Sequence, residues 1–155
     1  MDQQADERLT IMNILIADDN AVVRRGLREI LSESISEACI SEAGDGDEAL
    51  GLLAKSDFAI LLLDINMPGH SGLDVLLEVK STYPRLPVII VSVQPEDQYA
   101  VRCLSAGAAA YINKDRAPEI LAETITAVLN GTCYANSVFA ESLVTVGNEL
   151  KFKSS

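Results

Sequence analysis

Short apolar runs alternate with longer amphipathic stretches from Asn13 onward. The runs at residues 60–63 and 88–91 are apolar at every position, which is typical of strands in a parallel sheet that helices cover on both faces. The stretches between the runs carry apolar residues at helical spacing, as over residues 120–129. Because the alternation repeats five times, the pattern predicts an α/β domain, with a doubly wound parallel sheet of five strands and five helices.

Local signals predict where this domain begins and ends. The first residues are polar and lack periodicity, so we predict an N-terminal tail over residues 1–11. Asp115 is the predicted cap of the last helix, and Gly131 is its predicted stop. The domain then spans residues 12–131, and residues 132–155 are predicted to form a linker helix and a C-terminal tail, too short for a second domain.

Composition narrows the class of protein. The chain has 155 residues, 48% of them apolar, which suffices for one filled core. Its formal net charge of −11 repels a phosphate backbone, so direct nucleic-acid binding is not expected. No apolar run approaches the ~20 residues of a membrane span, and the acidic, polar start is unlike a signal peptide. We therefore expect a cytoplasmic location without membrane association.

The cysteines and the single histidine offer no metal or disulfide site. Cys39, Cys103 and Cys133 are far apart and form no C-x-x-C pair, which argues against a disulfide framework and against zinc. We expect all three to be small core residues in a reducing compartment. His70 has no histidine or cysteine at ligand spacing and is assigned no catalytic role.

Polar side chains stand where the predicted strands end. Five of them follow or finish four different strands: Asp18 and Asp19 the first, Asp64 the third, Ser92 the fourth and Lys114 the fifth. In open α/β sheets the functional groups collect at the carboxyl ends of the strands. These five residues are therefore the candidate site.

If the first and third strands are neighbours, three carboxylates meet there and repel one another unless a cation lies among them. Mg²⁺ suits such a pocket because it takes one or two carboxylates together with waters and phosphate oxygens. An aspartate beside a metal and a lysine is able to attack phosphorus and form an acyl phosphate. Asp64 is the candidate nucleophile, because the adjacent Asp18 and Asp19 are better placed to hold the metal. The Lys114 ammonium and the Ser92 hydroxyl suit phosphoryl oxygens.

Four segments together point to a family. The segments ADDN (17–20), LLLDINMPGHSG (61–72), VSV (91–93) and AGAAAYINK (106–114) resemble the receiver domains of bacterial response regulators. The resemblance covers roughly residues 12–131. It implies a flavodoxin-like, CheY-like fold with strand order 2-1-3-4-5, and Asp64 accepting a phosphoryl group from a histidine kinase or a phosphotransfer protein.

The resemblance also implies a role for each site residue. The Mg²⁺ ligands would be the side chains of Asp18, Asp19 and Asp64 and the main-chain carbonyl of Asn66. Ser92 and Lys114 would contact the phosphoryl group.

Further expectations concern signalling. Tyr111 would be an aromatic switch, and phosphorylation is expected to promote pairing of two copies through the surface of residues 96–130. Asn66 and Gln94 are hypothesised to tune the lifetime of the phosphoryl group. The chain is expected not to be an enzyme, but a phosphoacceptor that assists its own phosphoryl transfer and its slow autodephosphorylation.

The end of the domain resembles the NarL/LuxR-type branch, whose members usually continue through a linker helix into a helix-turn-helix DNA-binding domain. We expect that output domain to be absent here. The chain is then either the receiver part of a longer transcription regulator, which the linker-like tail favours, or a single-domain regulator.

Other functions are weighed against this one. A flavin or nucleotide binder is disfavoured because the chain lacks the G-x-x-x-x-G-K-[ST] loop and the G-x-G-x-x-G turn. An aspartyl-phosphate hydrolase is disfavoured because Asn66 stands where such an enzyme has a second aspartate. The alternative that stays open is a receiver-like interaction module that works without phosphorylation.

Overall fold

The computed structural model describes residues 11–67, 69, 71–93, 96–131 and 134–135. Strands and helices alternate along these residues. The strands are β1 (Met12–Ala17), β2 (Ala38–Ala43), β3 (Ile60–Leu63), β4 (Val88–Ser92), β5 (Ala110–Asn113) and β6 (Tyr134–Ala135). The helices are α1 (Ala21–Ser34), α2 (Gly46–Lys55), α3 (Gly72–Thr82), α4 (Glu96–Ser105) and α5 (Ala117–Leu129), and a 3₁₀ turn covers Lys114–Arg116.

Neighbouring strands pair in parallel, in the order β2-β1-β3-β4-β5-β6. The predicted order of the first five strands is confirmed. The pattern did not predict β6, which pairs with Ala110 and Tyr111 of β5, because a strand of 2 residues leaves no periodicity to detect.

The central strands divide the core into two layers. On one face the strands pack against α2, α3 and α4, through side chains that include Leu15, Leu61, Leu63, Val88 and Ile90. On the other face they pack against α1 and α5, through side chains that include Ile14, Ile16, Leu62, Ile89 and Val91. Successive side chains of a strand point to opposite faces. Each central strand therefore supplies both layers, which explains why the runs at residues 60–63 and 88–91 are apolar at every position.

Three helices begin at capped ends. The side chain of Asn20 accepts hydrogen bonds from backbone amides of α1, that of Asp45 does so for α2 and that of Ser71 for α3. Such caps satisfy amides that have no partner inside the helix. Two of the capped helices start directly after loops of the candidate site, so the caps also fix those loops.

The predicted cap of the last helix is wrong. The side chain of Asn113, not that of Asp115, acts as a cap, and it accepts the Asp115 amide at 2.9 Å. That bond opens the 3₁₀ turn, and α5 begins after Arg116 with no side-chain cap. The predicted stop is confirmed, because Gly131 follows the helix with a left-handed φ of 93°.

Other expectations meet different outcomes. Cys103 is buried as predicted, whereas Cys39 is exposed because it lies on the edge strand β2, so the core prediction is wrong for that residue. Cys133 lies outside the described residues, as do the predicted N-terminal tail apart from Ile11 and the predicted linker helix apart from the β6 residues. Over the described part of the chain, no helix has the length and apolar character that crossing a membrane requires.

Candidate functional site

The strand register brings the predicted site residues to one edge of the sheet. Ala17 of β1 pairs with Leu63 of β3, and Ser92 of β4 pairs with Asn113 of β5. The residues that follow β1, β3 and β5 therefore reach the same edge as the last residue of β4. Those residues are Asp18, Asp19, Asp64, Lys114 and Ser92.

Asp18, Asp19 and Asp64 form one acidic cluster. Each offers a carboxylate oxygen, and the three oxygens lie within 4.8 Å of one another. Asp18 is 1% exposed and Asp64 is 3% exposed, whereas Asp19 faces solvent. Negative groups at this spacing repel one another, and burial strengthens the repulsion because water no longer screens it. The cluster therefore needs positive charge close by.

Lys114 supplies one such charge. Its Nζ atom lies 2.8 Å from Asp18 Oδ2 and 3.6 Å from Asp64 Oδ1. The Lys114 side chain is 16% exposed, so the side chain is largely shielded from solvent. It is closer to the acid pair than to Asp64, which leaves Asp64 incompletely neutralised.

The pKa of Asp64 is raised by its burial and by the neighbouring carboxylate of Asp18. Burial is the largest cause that raises it, the charge of Asp18 adds to the rise, and the pKa moves from 3.8 to about 6. The Lys114 ammonium and the hydrogen bond from the Asn66 amide, 3.2 Å from Asp64 Oδ1, act in the opposite direction. The surroundings of Asp64 therefore stabilise its ionised form less well than water does.

The donor set fits a hard divalent cation. Asp18 Oδ2 is buried and accepts no hydrogen bond from the described residues, although the Lys114 ammonium lies near it. One lysine charge balances only part of the charge of three carboxylates. Mg²⁺ takes oxygen ligands and keeps several waters, which suits a cluster with two buried members and one exposed member. Asp18, Asp19 and Asp64 are the residues that would hold it.

The remaining predicted site residues are placed as follows. Ser92 and Tyr111 are both fully buried, and the Tyr111 ring belongs to the layer that faces α2, α3 and α4. Asn66 is exposed, and the role of its carbonyl as a metal ligand stays a prediction. Gln94 and His70 lie outside the described residues.

Sequence reasoning missed Arg24 of α1. Its Nη1 atom donates to the carbonyl oxygen of Asp18 at 2.6 Å, and its Nε atom donates to Glu42 Oε1 at 2.8 Å. The available signal was an arginine within the first turn of the helix that follows the acid pair, with a glutamate at the end of the neighbouring strand. Neither position shows by itself that the two side chains meet.

Gly72 is a second residue whose importance the sequence did not reveal. Its amide donates to the carbonyl oxygen of Ile65 at 2.8 Å. A Cβ atom at this position would lie 2.3 Å from Ile65 Cα and 2.4 Å from the carbonyl oxygen of Asp64. The start of α3 therefore lies directly against the backbone that carries Asp64.

Comparisons with known proteins indicate the family of the chain. The family model described as response regulator receiver domain matches residues 14–126. The nitrate/nitrite response regulator protein NarP of Escherichia coli is 36% identical over 132 residues, which are 85% of this chain and 60% of NarP. The glycerol metabolism activator of Pseudomonas putida is 33% identical over 122 residues, which are 78% of this chain and 55% of that protein.

A solved structure shows the same fold. The two-component response regulator of the LuxR family from Aurantimonas has a TM-score of 0.77 and 26% identity, with 85% of this chain and 94% of that chain covered. The chain spans less than two thirds of the length of the curated relatives named above. The matched region includes every residue of the acidic cluster together with Ser92 and Lys114. The chain therefore belongs to the receiver domain family of two-component response regulators.

Proposed function

We propose that the chain accepts a phosphoryl group on Asp64 from a histidine kinase or a phosphotransfer protein, and that Mg²⁺ assists the transfer. The observation that carries this proposal is the composition of one small pocket. A buried Asp64 lies beside two further carboxylates, and a lysine ammonium is 3.6 Å away from it. Transfer of a phosphoryl group to an aspartate needs these parts at one point: a carboxylate nucleophile, oxygen ligands for a metal and a cation for the phosphoryl oxygens.

The chain's own residues are suited to their parts in the transfer. With a pKa of about 6, Asp64 is mostly ionised at neutral pH and has an electron pair to donate. Mg²⁺, when bound, would neutralise charge on the carboxylates and on the phosphoryl oxygens. The Lys114 ammonium, on a flexible stem, would turn from Asp18 to an oxygen of the arriving phosphoryl group.

The proposed step is a displacement at phosphorus. An oxygen of the Asp64 carboxylate forms a bond to phosphorus while the bond from phosphorus to the imidazole nitrogen of the donor breaks. The imidazole leaves with the electron pair of that bond. The product is an acyl phosphate on Asp64, which water hydrolyses slowly in the absence of a further catalyst. Asn66 and Gln94 are the proposed influences on that hydrolysis.

We also propose that the phosphoryl group acts as a switch. Ser92 ends β4 and Tyr111 lies on β5 beside it, at the position that pairs with Ile90. A phosphoryl oxygen bonded to the Ser92 hydroxyl would favour one arrangement of this pair over another. The surface of residues 96–130 would transmit the change, since it contains β5 and the helices on both sides of it.

The proposed output is control of transcription through a DNA-binding domain that follows the receiver in proteins of this kind. The names of the two relatives support this proposal, since one is described as a nitrate/nitrite response regulator and the other as a glycerol metabolism activator. Pairing of phosphorylated copies would present two such domains to DNA. The net charge of −11 repels a phosphate backbone, so the chain itself is not expected to make that contact.

Intact mass after incubation with acetyl phosphate and Mg²⁺ tests the proposal. The wild type is expected to gain one phosphoryl group, about 80 Da, and Asp64→Asn and a sample with a metal chelator are expected to gain none. Folded wild type that gains no mass would contradict the proposal and favour the interaction module that works without phosphorylation.

A further inference from the structure

Arg24 connects three parts of the chain around the acid pair. It projects from α1, bonds the carbonyl oxygen of Asp18 and bonds Glu42 on β2. Its side chain is 20% exposed, so most of the guanidinium is held within these contacts. Arginine suits this position because its planar fork donates in two directions at once.

The carbonyl that Arg24 bonds belongs to the peptide group that joins Asp18 to Asp19. Because a peptide group is planar, fixing this carbonyl also fixes the direction in which the chain continues to Asp19. The amide of Asp18 is held as well, by the carbonyl oxygen of Ala43 at 3.0 Å. Both sides of Asp18 are therefore attached to the end of β2, directly in one case and through Arg24 and Glu42 in the other.

Glu42 is itself held in place by a second arginine. Its Oε2 atom accepts the Nε atom of Arg28 at 2.7 Å, while its Oε1 atom accepts Arg24. Arg28 also donates to the carbonyl oxygen of Ile40 at 3.1 Å. The hydrogen bonds from Arg28 and Arg24 lower the pKa of Glu42, so the carboxylate keeps its charge. The Glu42 carboxylate of β2 therefore binds two arginines that lie one turn apart on α1.

We propose that Arg24 is a positioning residue for the metal-binding acid pair, acting through the Asp18 carbonyl and supported by Glu42. The inference rests on the proposed function, because it assigns the acid pair to Mg²⁺. Groups that orient metal ligands commonly change metal affinity about 10-fold to 100-fold when they are removed. A structural contact of α1 with the sheet would have no such effect on Mg²⁺ binding.

The direction of the change in Mg²⁺ affinity distinguishes a positioning role of Arg24 from an effect of its charge. Arg24→Gln removes a positive charge close to the acid pair, which by electrostatics alone tightens the binding of a cation. Positioning requires the opposite result, a weaker affinity. Arg24→Lys keeps the charge but replaces the two separate donor nitrogens, Nε and Nη1, with one nitrogen on a shorter side chain, so any loss of affinity in this variant comes from geometry. Arg25 is the matched control, because it is the next residue of α1 and is exposed.

Isothermal titration of the full chain with MgCl₂ tests the inference. Arg24→Gln and Arg24→Lys are expected to bind Mg²⁺ about 10-fold more weakly than the wild type, while Arg25→Gln and Arg25→Lys bind it as the wild type does. Circular dichroism and thermal unfolding establish that each variant is folded.

Several results would overturn the inference. These are tighter or unchanged Mg²⁺ binding in folded Arg24→Gln, unchanged binding in folded Arg24→Lys, and loss of the fold in both Arg24 variants. Absence of Mg²⁺ binding in the wild type would do so as well. Wild type that binds Mg²⁺ but gains no phosphoryl group refutes the proposed function alone, and the affinities of the variants still decide the role of Arg24.

Discussion

At the scale of single residues, Asp64 is placed where its charge costs stability. It is 3% exposed and close to another buried carboxylate. Its pKa of about 6 means that the folded chain holds the proton more tightly than the unfolded chain does. In the absence of a bound cation, the ionised Asp64 carboxylate therefore lowers the free energy of unfolding.

Asp64→Asn is expected to stabilise the protein in Mg²⁺-free buffer at pH 8. The folded pKa is raised from 3.8 to about 6, and each unit corresponds to about 1.4 kcal/mol, so the free energy of unfolding should rise by up to about 3 kcal/mol. The penalty is complete above the folded pKa and absent below the unfolded pKa. The gain should therefore shrink as the pH falls from 8 to 4. Urea denaturation at several pH values measures it.

Asp57→Asn is the control for this prediction, because Asp57 is exposed and undergoes the same chemical change. Its effect on the free energy of unfolding should be small at every pH. A destabilised Asp64→Asn variant at pH 8, or a gain that does not depend on pH, would contradict the account of Asp64.

At the scale of secondary structure elements, the start of α3 determines where Asp64 lies. The side chain of Ser71 caps the helix by accepting the Asp74 amide at 3.2 Å, and Gly72 packs against the backbone of residues 64–65 without room for a Cβ atom. These contacts hold the start of α3 against the end of β3. A displacement of α3 would move the backbone of the phosphoacceptor directly.

Gly72→Ala is expected to lower the free energy of unfolding by about 3 kcal/mol, because the new methyl group overlaps backbone atoms that have to shift. It should also slow phosphorylation. Gly51→Ala in α2 is the matched control, since Gly51 has open space around its Cβ position and alanine favours a helix by about 0.5–1 kcal/mol. Denaturant unfolding of both variants measures the effects, and equal stability of the two would contradict the close approach at Gly72.

Sequence periodicity was sufficient to predict five strands, five helices and the edge where the site lies. It was sufficient because apolar runs mark buried strands, and because the carboxyl ends of parallel strands lie at the same edge of a sheet. The order of the strands was predicted from the family resemblance and not from periodicity. It was not sufficient for contacts between side chains of distant elements. The bonds from Arg24 to Glu42 and Asp18 depend on how far α1 rotates over β2, which no local pattern records.

Two predictions about single residues were wrong. Asn113 and Asp115 are both good cap residues, and the 3₁₀ turn decided between them by placing the Asn113 side chain over the Asp115 amide. Cys39 was assigned to the core from its residue type, but it lies on an edge strand whose outer positions meet solvent. In both cases the sequence allowed two outcomes and the packing chose one.

At the scale of the whole molecule, the two layers of helices connect to different parts of the site. The acid pair continues into α1, while the backbone of Asp64 continues into α3. The surface of residues 96–130 includes β5, which carries Tyr111 and pairs directly with β4, the strand that ends at Ser92. A structural change at Ser92 is therefore expected to affect this surface directly, because β4 and β5 are hydrogen-bonded neighbours.

Phosphorylated protein is expected to pair through this surface. Val101 of α4 is 42% exposed there, and Leu77 of α3, outside the surface, is 51% exposed. Val101→Glu should prevent phosphorylation-dependent pairing, because it places a charge in an apolar contact, whereas Leu77→Glu should leave it unchanged. Sedimentation velocity with and without acetyl phosphate measures pairing. Identical sedimentation of the phosphorylated and unphosphorylated wild type would contradict this expectation.

The central claim, that Asp64 is the residue that accepts the phosphoryl group, is tested most directly by locating the modification. Borohydride reduces an acyl phosphate to an alcohol and converts a phosphorylated aspartate into homoserine, whose position peptide mass mapping reveals. After incubation with acetyl phosphate and Mg²⁺, homoserine is expected at position 64 only. Homoserine at position 18 or 19, or at no position in a protein that has gained a phosphoryl group, would contradict the account.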